Sequence, residues 1–197
     1  NLKKSSRFKF SKIDNFEYAE PEIVFDKKNV IFFDNKGSIL KFDNSSKLIW
    51  KKNFYNKSEK KMKPILSFAN NDELLIVADS ISNFYAININ SGELLWKNKN
   101  SSPFNSQVKI HNDKFFAIDF DNILRSFSIK DGKEIWQFKT EKSFIKSQKK
   151  LSLLVINEKI FFNNSIGDIT AVDIENGNMI WQKPTQANVG YEGSFSL

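Results

Sequence analysis

Apolar residues fall in short runs rich in Phe, Ile, Val and Leu, and each run is broken by Asn, Asp, Gly or Ser. Such punctuation marks strands joined by turns. Where a run alternates, as in Tyr85 and Ile87 against Phe84, Ala86 and Asn88, the period is two and each face of the strand meets its own neighbour. No i, i+3, i+4 stripe of useful length interrupts the pattern, so the chain is predicted to be all-β. The runs group in fours, A to D, and the last of each four carries a tryptophan.

The tryptophans of the chain are Trp50, Trp96, Trp136 and Trp181, separated by 46, 40 and 45 residues. That spacing, about 44 on average, is the length of one four-stranded propeller blade. Stacked on the tryptophans, the segments 74–96, 114–136 and 159–181 align without a gap, and 29–50 is one residue shorter in the turn before its Trp. Gly92, Gly132 and Gly177 each stand four residues before a Trp, with Ser46 in the first unit. These glycines close the turn between strands C and D, where a positive φ costs a glycine nothing.

The repeats run over residues 23–50, 66–96, 108–136 and 153–181, with 182–197 reading as the start of a next blade. The predicted fold is a β-propeller of four-stranded antiparallel blades, four of them forming a partial propeller domain across 1–197. An open arc leaves two blade faces without partners, so this length of chain alone is expected to aggregate or fold poorly. One tryptophan per outer strand reads as a packing wedge between twisted sheets. Its indole N–H needs an acceptor, which a neighbouring turn can supply.

Composition then narrows the chemistry. Hydrophobic residues make up 40% and charged residues 27%, the balance of a folded globular chain. No run is long enough for a membrane-spanning helix. Asn1-Leu2-Lys3-Lys4 is neither an initiator Met nor a signal peptide, so any targeting segment is expected to lie outside these residues. There is no Cys, hence no disulfide or thiolate metal site, and His111 is the only histidine, so a zinc or copper site is not expected. No phosphate-binding glycine loop or nucleophile elbow is present. Asp34, Asn35, Asp79, Asp119, Asp121, Asn163, Asn164 and Asp168 cluster in the B–C turns. They read as turn formers, because calcium needs six or more oxygens converging on one point and these lie on different blades. Net charge is +7, yet only Arg7 and Arg125 among the 30 basic residues are Arg. Specific phosphate recognition leans on Arg, and an AT-rich coding sequence yields such an excess of Lys, Asn, Ile and Phe. No nucleic-acid partner is expected.

The segment Ala171-Val-Asp173-Ile-Glu-Asn-Gly177-Asn-Met-Ile-Trp181 resembles the Ala-x-Asp-x-x-x-Gly-x-x-x-Trp docking motif of the PQQ-like β-propeller family. The second unit keeps Ala86, Gly92 and Trp96 with Asn88 for Asp. The third has Ser126 and Ser128 with Gly132 and Trp136, and the first keeps Asp43 and Trp50. The resemblance covers Ile23 to Trp181. It is shared by PQQ-dependent dehydrogenases and by non-enzymatic propellers, above all the BamB lipoproteins of outer-membrane barrel assembly. Both form eight-bladed rings, so four repeats imply half a ring. A dehydrogenase would bring a vicinal Cys pair and calcium ligands. The Cys pair is absent, and the short repeats without long insertions fit the bare scaffold better. The resemblance thus implies a periplasmic, outer-membrane-associated scaffold without a cofactor, with a fragment of a quinoprotein dehydrogenase or a PQQ-like sensor domain as alternatives. Its expected partners are the barrel subunit of the assembly machinery (BamA-like) and unfolded barrel clients. Contact with a membrane is expected only through a lipid anchor outside these residues.

In an up-and-down blade the B–C turns and the D-to-A connections emerge at the same end. Two of these connections are strongly basic, KSEKKMK at 57–63 and KSFIKSQKK at 142–150. The second also carries Phe144 and Ile145. An apolar pair flanked by Lys146 and Lys149 is a plausible docking knob, and the BamB resemblance, in which interblade loops grip the barrel partner, strengthens it.

Overall fold

A computed structural model describes residues 22–140, 147 and 149–185. It consists of four four-stranded antiparallel sheets, each with its strands in chain order, and belongs to the β-propeller class. The chain divides into two compact units, Asn1–Pro103 and Phe104–Leu197.

The first unit holds two blades. Blade 1 is β1 (Val24–Asp26), β2 (Asn29–Phe33), β3 (Ile39–Phe42) and β4 (Leu48–Lys52). A connection containing the one-turn helix α1 (Lys57–Lys61) leads to blade 2: β5 (Leu66–Asn70), β6 (Leu74–Asp79), β7 (Asn83–Asn88) and β8 (Leu94–Lys99). The second unit holds blade 3, β9 (Lys109–His111), β10 (Lys114–Ile118), β11 (Ile123–Ser128) and β12 (Glu134–Lys139). Blade 4 follows as β13 (Leu153–Ile156), β14 (Lys159–Asn163), β15 (Ile169–Asp173) and β16 (Met179–Lys183).

Two features depart from the sequence expectation. The outer strands of blades 1, 2 and 4 run past the tryptophans at which the apolar runs 48–50, 94–96 and 179–181 stop, and all four outer strands end in lysine: Lys52, Lys99, Lys139 and Lys183. Charged residues there suit an open sheet edge, which they protect from pairing with another chain. The basic segment after Tyr55 contains helix α1 rather than only loop. Asn56 caps it by accepting from the Ser58 and Glu59 N–H groups, and Glu59 returns a carboxylate to the Asn56 N–H at 2.8 Å. This reciprocal pair satisfies donors that a single turn of helix leaves orphaned.

The docking motif has a backbone cause. In every blade strand D carries one extra residue just before its tryptophan, at Ile49, Leu95, Ile135 and Ile180, and the tryptophan then pairs with strand C: Lys41 with Trp50, Ala86 with Trp96, Ser126 with Trp136, Ala171 with Trp181. A bulge sharpens local twist and re-aims the side chain beside it, here the indole. Directly opposed residues share a face, so a small residue there leaves room for an indole. The motif Asp is likewise explained. Asp43 accepts from the Ser45 and Lys47 N–H groups, Asn88 from those of Asn90 and Ser91, and Asp173 from those of Glu175 and Asn176. Each folds its turn back as an Asx turn.

The B–C turns repeat with the same fidelity. Asp34 Oδ1 accepts from Lys36 and Ser38, Asp79 from Ile81 and Asn83, Asp119 from Asp121 and Ile123, and Asn164 from Ile166 and Asp168. All four acceptors are buried. The fourth residue of each turn takes a positive φ, at Gly37, Ser82, Asn122 and Gly167.

Candidate interaction surface

Within each unit the tryptophan of one blade reaches the C–D turn of the next. Trp50 Nε1 donates to the Ile89 carbonyl at 3.2 Å, and Trp136 Nε1 to the Ile174 carbonyl at 3.2 Å. The acceptor residue is itself held, since the Ile89 and Ile174 N–H groups donate to the Glu73 and Glu158 carbonyls of the A–B turn. The ring then covers the glycine three residues on. A Cβ at Gly92 would meet Trp50 at 2.9 Å, and one at Gly177 would meet Trp136 at 2.5 Å, both at a positive φ near 70°. Blade 1 has no counterpart of Ile89, because its turn is the one that is a residue shorter.

The first unit adds polar groups inside this contact. Lys41 is buried where other blades carry Ala or Ser, and its ammonium lies 2.6 Å from Asp26 and 2.8 Å from the Ile89 carbonyl. The indole and the ammonium therefore converge on one oxygen. Nearby, the Tyr55 hydroxyl donates to Asp79 Oδ2 at 2.6 Å, and the Tyr85 hydroxyl lies 3.4 Å from that of Tyr55. Burial pushes the Asp79 carboxyl above its usual value, outweighing the hydrogen bonds from Tyr55 and Asn83. Burial also holds both tyrosine hydroxyls well above the normal range. Asp34 presents the contrary outcome. Burial again raises it, but bonds from the Ser38 and Lys36 N–H groups and from the Lys51 ammonium leave it below its usual value. In blade 3 the second Asp119 oxygen takes Arg125 Nε at 2.8 Å, and Arg125 Nη1 reaches Glu134 and Gln137.

Sequence inspection missed Lys41, Asp26, Tyr55 and Tyr85. The available signal was positional: Lys41 stands at the motif position that is Ala or Ser elsewhere.

At the end of unit 1 bearing the B–C turns, the connection 53–65 is anchored on both blades. Asn53 Nδ2 donates to the Lys36 carbonyl, Tyr55 packs beneath Gly37, and Glu59 accepts from Asn83 Nδ2. In unit 2 the ends of the connection 140–152 are pinned. Thr140 bonds the Asn122 carbonyl, Asn105 Nδ2 bonds the Ser147 carbonyl, and Leu151 bridges Ser106. Lys149 is exposed there. Phe144, Ile145 and Lys146 lie outside the described residues. An open groove of about 450 Å³ runs beside β13, with walls that include Leu153, Leu154, Phe161 and Ile169. Among the described residues no group of three or more His, Asp or Glu is placed to hold a metal ion, and no helix is long and apolar enough to cross a membrane. His111 Nε2 lies 3.9 Å from Glu158, beyond hydrogen-bond reach.

A family model described as outer membrane protein assembly factor BamB matches residues 35–194. No curated protein sequence matches the chain. Among solved structures, BamB from Moraxella catarrhalis matches at 16% identity over 83% of this chain and 48% of that one, with a TM-score of 0.69. The computationally designed Ika4 protein matches at 12% identity over 83% and 98%, with a TM-score of 0.60. The quinohemoprotein alcohol dehydrogenase ADHIIG from Pseudomonas putida HK5 matches at 13% identity over 83% and 34%, with a TM-score of 0.63. At these identities the structural matches show a shared fold alone. The chain spans about half the length of the Moraxella protein.

Proposed function

The chain belongs to the family described as outer membrane protein assembly factor BamB, and from that premise we propose that it is a non-catalytic scaffold for outer-membrane β-barrel assembly. It works in the periplasm at the outer membrane, as part of a larger ring of which it supplies about half. The observation that carries this reading is how the blade-end carboxylates are used. Asp34, Asp79 and Asp119 each spend one oxygen on their own turn and the other on Lys51, Tyr55 or Arg125. They act as structural acceptors, and what a partner meets is the set of D-to-A connections.

The partner is the barrel subunit of the assembly machinery, with unfolded barrel clients as a second class. The contact falls on the connection 140–152, through Phe144 and Ile145 flanked by Lys146 and Lys149. Apolar anchors ringed by charge are the usual carriers of binding energy. The test is capture of the barrel subunit by the full-length protein. Phe144→Asp combined with Lys146→Glu is expected to weaken capture at least tenfold, as loss of an apolar anchor does; unchanged capture rules the loop out.

The match to ADHIIG favours a second reading, a segment of a quinoprotein dehydrogenase. Dye-linked alcohol oxidation by the full-length protein supplied with quinone and calcium would replace the scaffold reading. Its absence under the same conditions supports the scaffold.

A further inference from the structure

The charges of unit 1 are sorted by position. At the end bearing the B–C turns, Lys36, Lys57 and Lys61 are exposed and Lys60 half-buried. The acid within this connection is turned inward: Glu59 caps α1 through the Asn56 N–H, accepts from Asn83 Nδ2, and lies 3.8 Å from the Lys97 ammonium. Asp34 and Asp79 at the same end are buried. Among the described residues, no acid is paired with Lys57, Lys60 or Lys61 of α1, and Lys57 and Lys61 face solvent. At the opposite end, exposed Lys27, Lys28 and Lys47 of blade 1 are offset by exposed Asp72, Glu73 and Glu93 of blade 2, so the uncompensated positive charge lies at the B–C end. A coding bias toward lysine explains its abundance but not this sorting.

Two further features bear on what such a surface meets. Met62, directly after α1, is 63% exposed, and Ile65 is 42% exposed, so apolar side chains project beside the ammonium groups. The exposed cations here are all Lys; Arg125, in the other unit, is buried against Asp119 and Glu134. A fixed carboxylate on a protein partner is best gripped by the guanidinium fork, whereas lysine is a mobile point charge. Mobile cations with a small apolar wedge suit a fluid array of phosphate headgroups over an apolar interior.

We propose that the α1 connection docks unit 1 onto an anionic lipid bilayer, with Lys57, Lys60 and Lys61 at the headgroup phosphates and Met62 at the acyl boundary. This adds a direct contact with lipid to a protein expected to meet the membrane only through an anchor outside these residues. It is independent of the scaffold reading, because its test contains no protein partner.

The test is co-sedimentation of the purified full-length protein, against a vesicle-free control, with vesicles of phosphatidylcholine alone or with about one-third phosphatidylglycerol. Binding to the anionic vesicles only, weakening steeply with added salt, is expected. Each lysine near the surface contributes about fivefold to partitioning, so Lys57→Gln with Lys60→Gln and Lys61→Gln lowers it on the order of 100-fold. Lys28→Gln with Lys47→Gln and Lys130→Gln removes the same charge from the other blade ends and is expected to leave partitioning within about threefold of the parent. Equal losses in the two triple variants would reduce the effect to net charge and overturn the proposal. So would equal binding to both vesicle types, or binding to neither. Displacement from vesicles by millimolar glycerol phosphate would assign the site to a free phosphate instead. Retention on poly-glutamate without vesicle binding would assign it to an acidic protein.

Discussion

The two blade junctions within the units share one knob and one socket, yet they are filled differently. Between blades 3 and 4, Trp136 alone reaches the Ile174 carbonyl, the ion pair Lys114–Glu175 lies where Glu175 is exposed, and Phe138 packs edge-on to Phe162. Between blades 1 and 2, Trp50 shares the Ile89 carbonyl with a buried ammonium, and Tyr55, Tyr85 and Asp79 form a second polar cluster. At one register position the Lys41 ammonium reaches two acceptors, Asp26 and the Ile89 carbonyl, while the Ser126 hydroxyl is buried with no partner. The indole contact is thus the conserved part of the repeat. What surrounds it is solved blade by blade: the first unit sets a buried ammonium on the indole's own acceptor, whereas the buried Arg125–Asp119 pair of the second unit serves a B–C turn.

The largest expected effect breaks this contrast at its source. Lys41→Ala strands the Asp26 carboxylate in the interior and is expected to cost about 3–5 kcal/mol, the range for a half-removed buried pair. Adding Asp26→Asn removes the stranded charge and is expected to restore at least half of that loss. Urea titrations followed by tryptophan fluorescence measure both. A single variant no weaker than a surface substitution would mean that water already reaches Asp26. The matched change in the second unit, Ser126→Ala, is expected to be neutral or stabilising by up to about 1 kcal/mol, because it deletes a buried hydroxyl that has no bond.

Next in size are the sockets. Gly92→Ala and Gly177→Ala each force a side chain into the left-handed region, about 1–3 kcal/mol. Gly177→Ala is expected to cost the more of the two, because its Cβ would sit 2.5 Å from Trp136 against 2.9 Å for Trp50. Indole fluorescence reports which ring moves. Equal costs would show that strain in φ dominates and that ring displacement is cheap. Trp181, 40% exposed with a ring contact to Phe161 of its own blade, gives a natural control: Trp181→Ala is expected to cost less than Trp136→Ala.

Much of this was legible in the chain because the repeat supplies its own alignment. Each tryptophan, each turn glycine and each B–C turn acceptor falls at a fixed offset, and local chemistry dictates all three. The helix at 57–61 was legible in principle, from Asn56 and Glu59 at capping-box spacing, but a single turn has no hydrophobic period to announce it. The long-range partners were not legible. Asp26 and Lys41 are 15 residues apart, and Lys41 and Ile89 are 48 apart; nothing in either neighbourhood codes for the meeting. The sequence marked both 57–63 and 142–150 as basic connections and preferred the second for its apolar pair. It could not show that Glu59 turns inward and leaves the lysines of 57–63 outside.

The smallest expected effect is on acid stability, because two carboxyls of unit 1 shift in opposite directions. Asp34, held below its ordinary value of about 3.8, contributes stability that is present above that value and lost as pH falls through its depressed one. Asp79 is raised, so its contribution is fully present below about 3.8 and is lost as pH rises through the elevated value. Acidifying from neutrality thus gains stability at Asp79 before any is lost at Asp34. Asp79→Asn keeps an oxygen for the Ile81 and Asn83 N–H groups but cannot titrate. Relative to the parent, it is expected to be most favourable at pH 7 and progressively less so toward pH 4. Parallel urea midpoints for the two proteins across that range would show that Asp79 is already protonated at neutrality, or that its hydrogen bond to Tyr55 offsets the burial, and the difference between the two B–C turns would then be one of geometry alone.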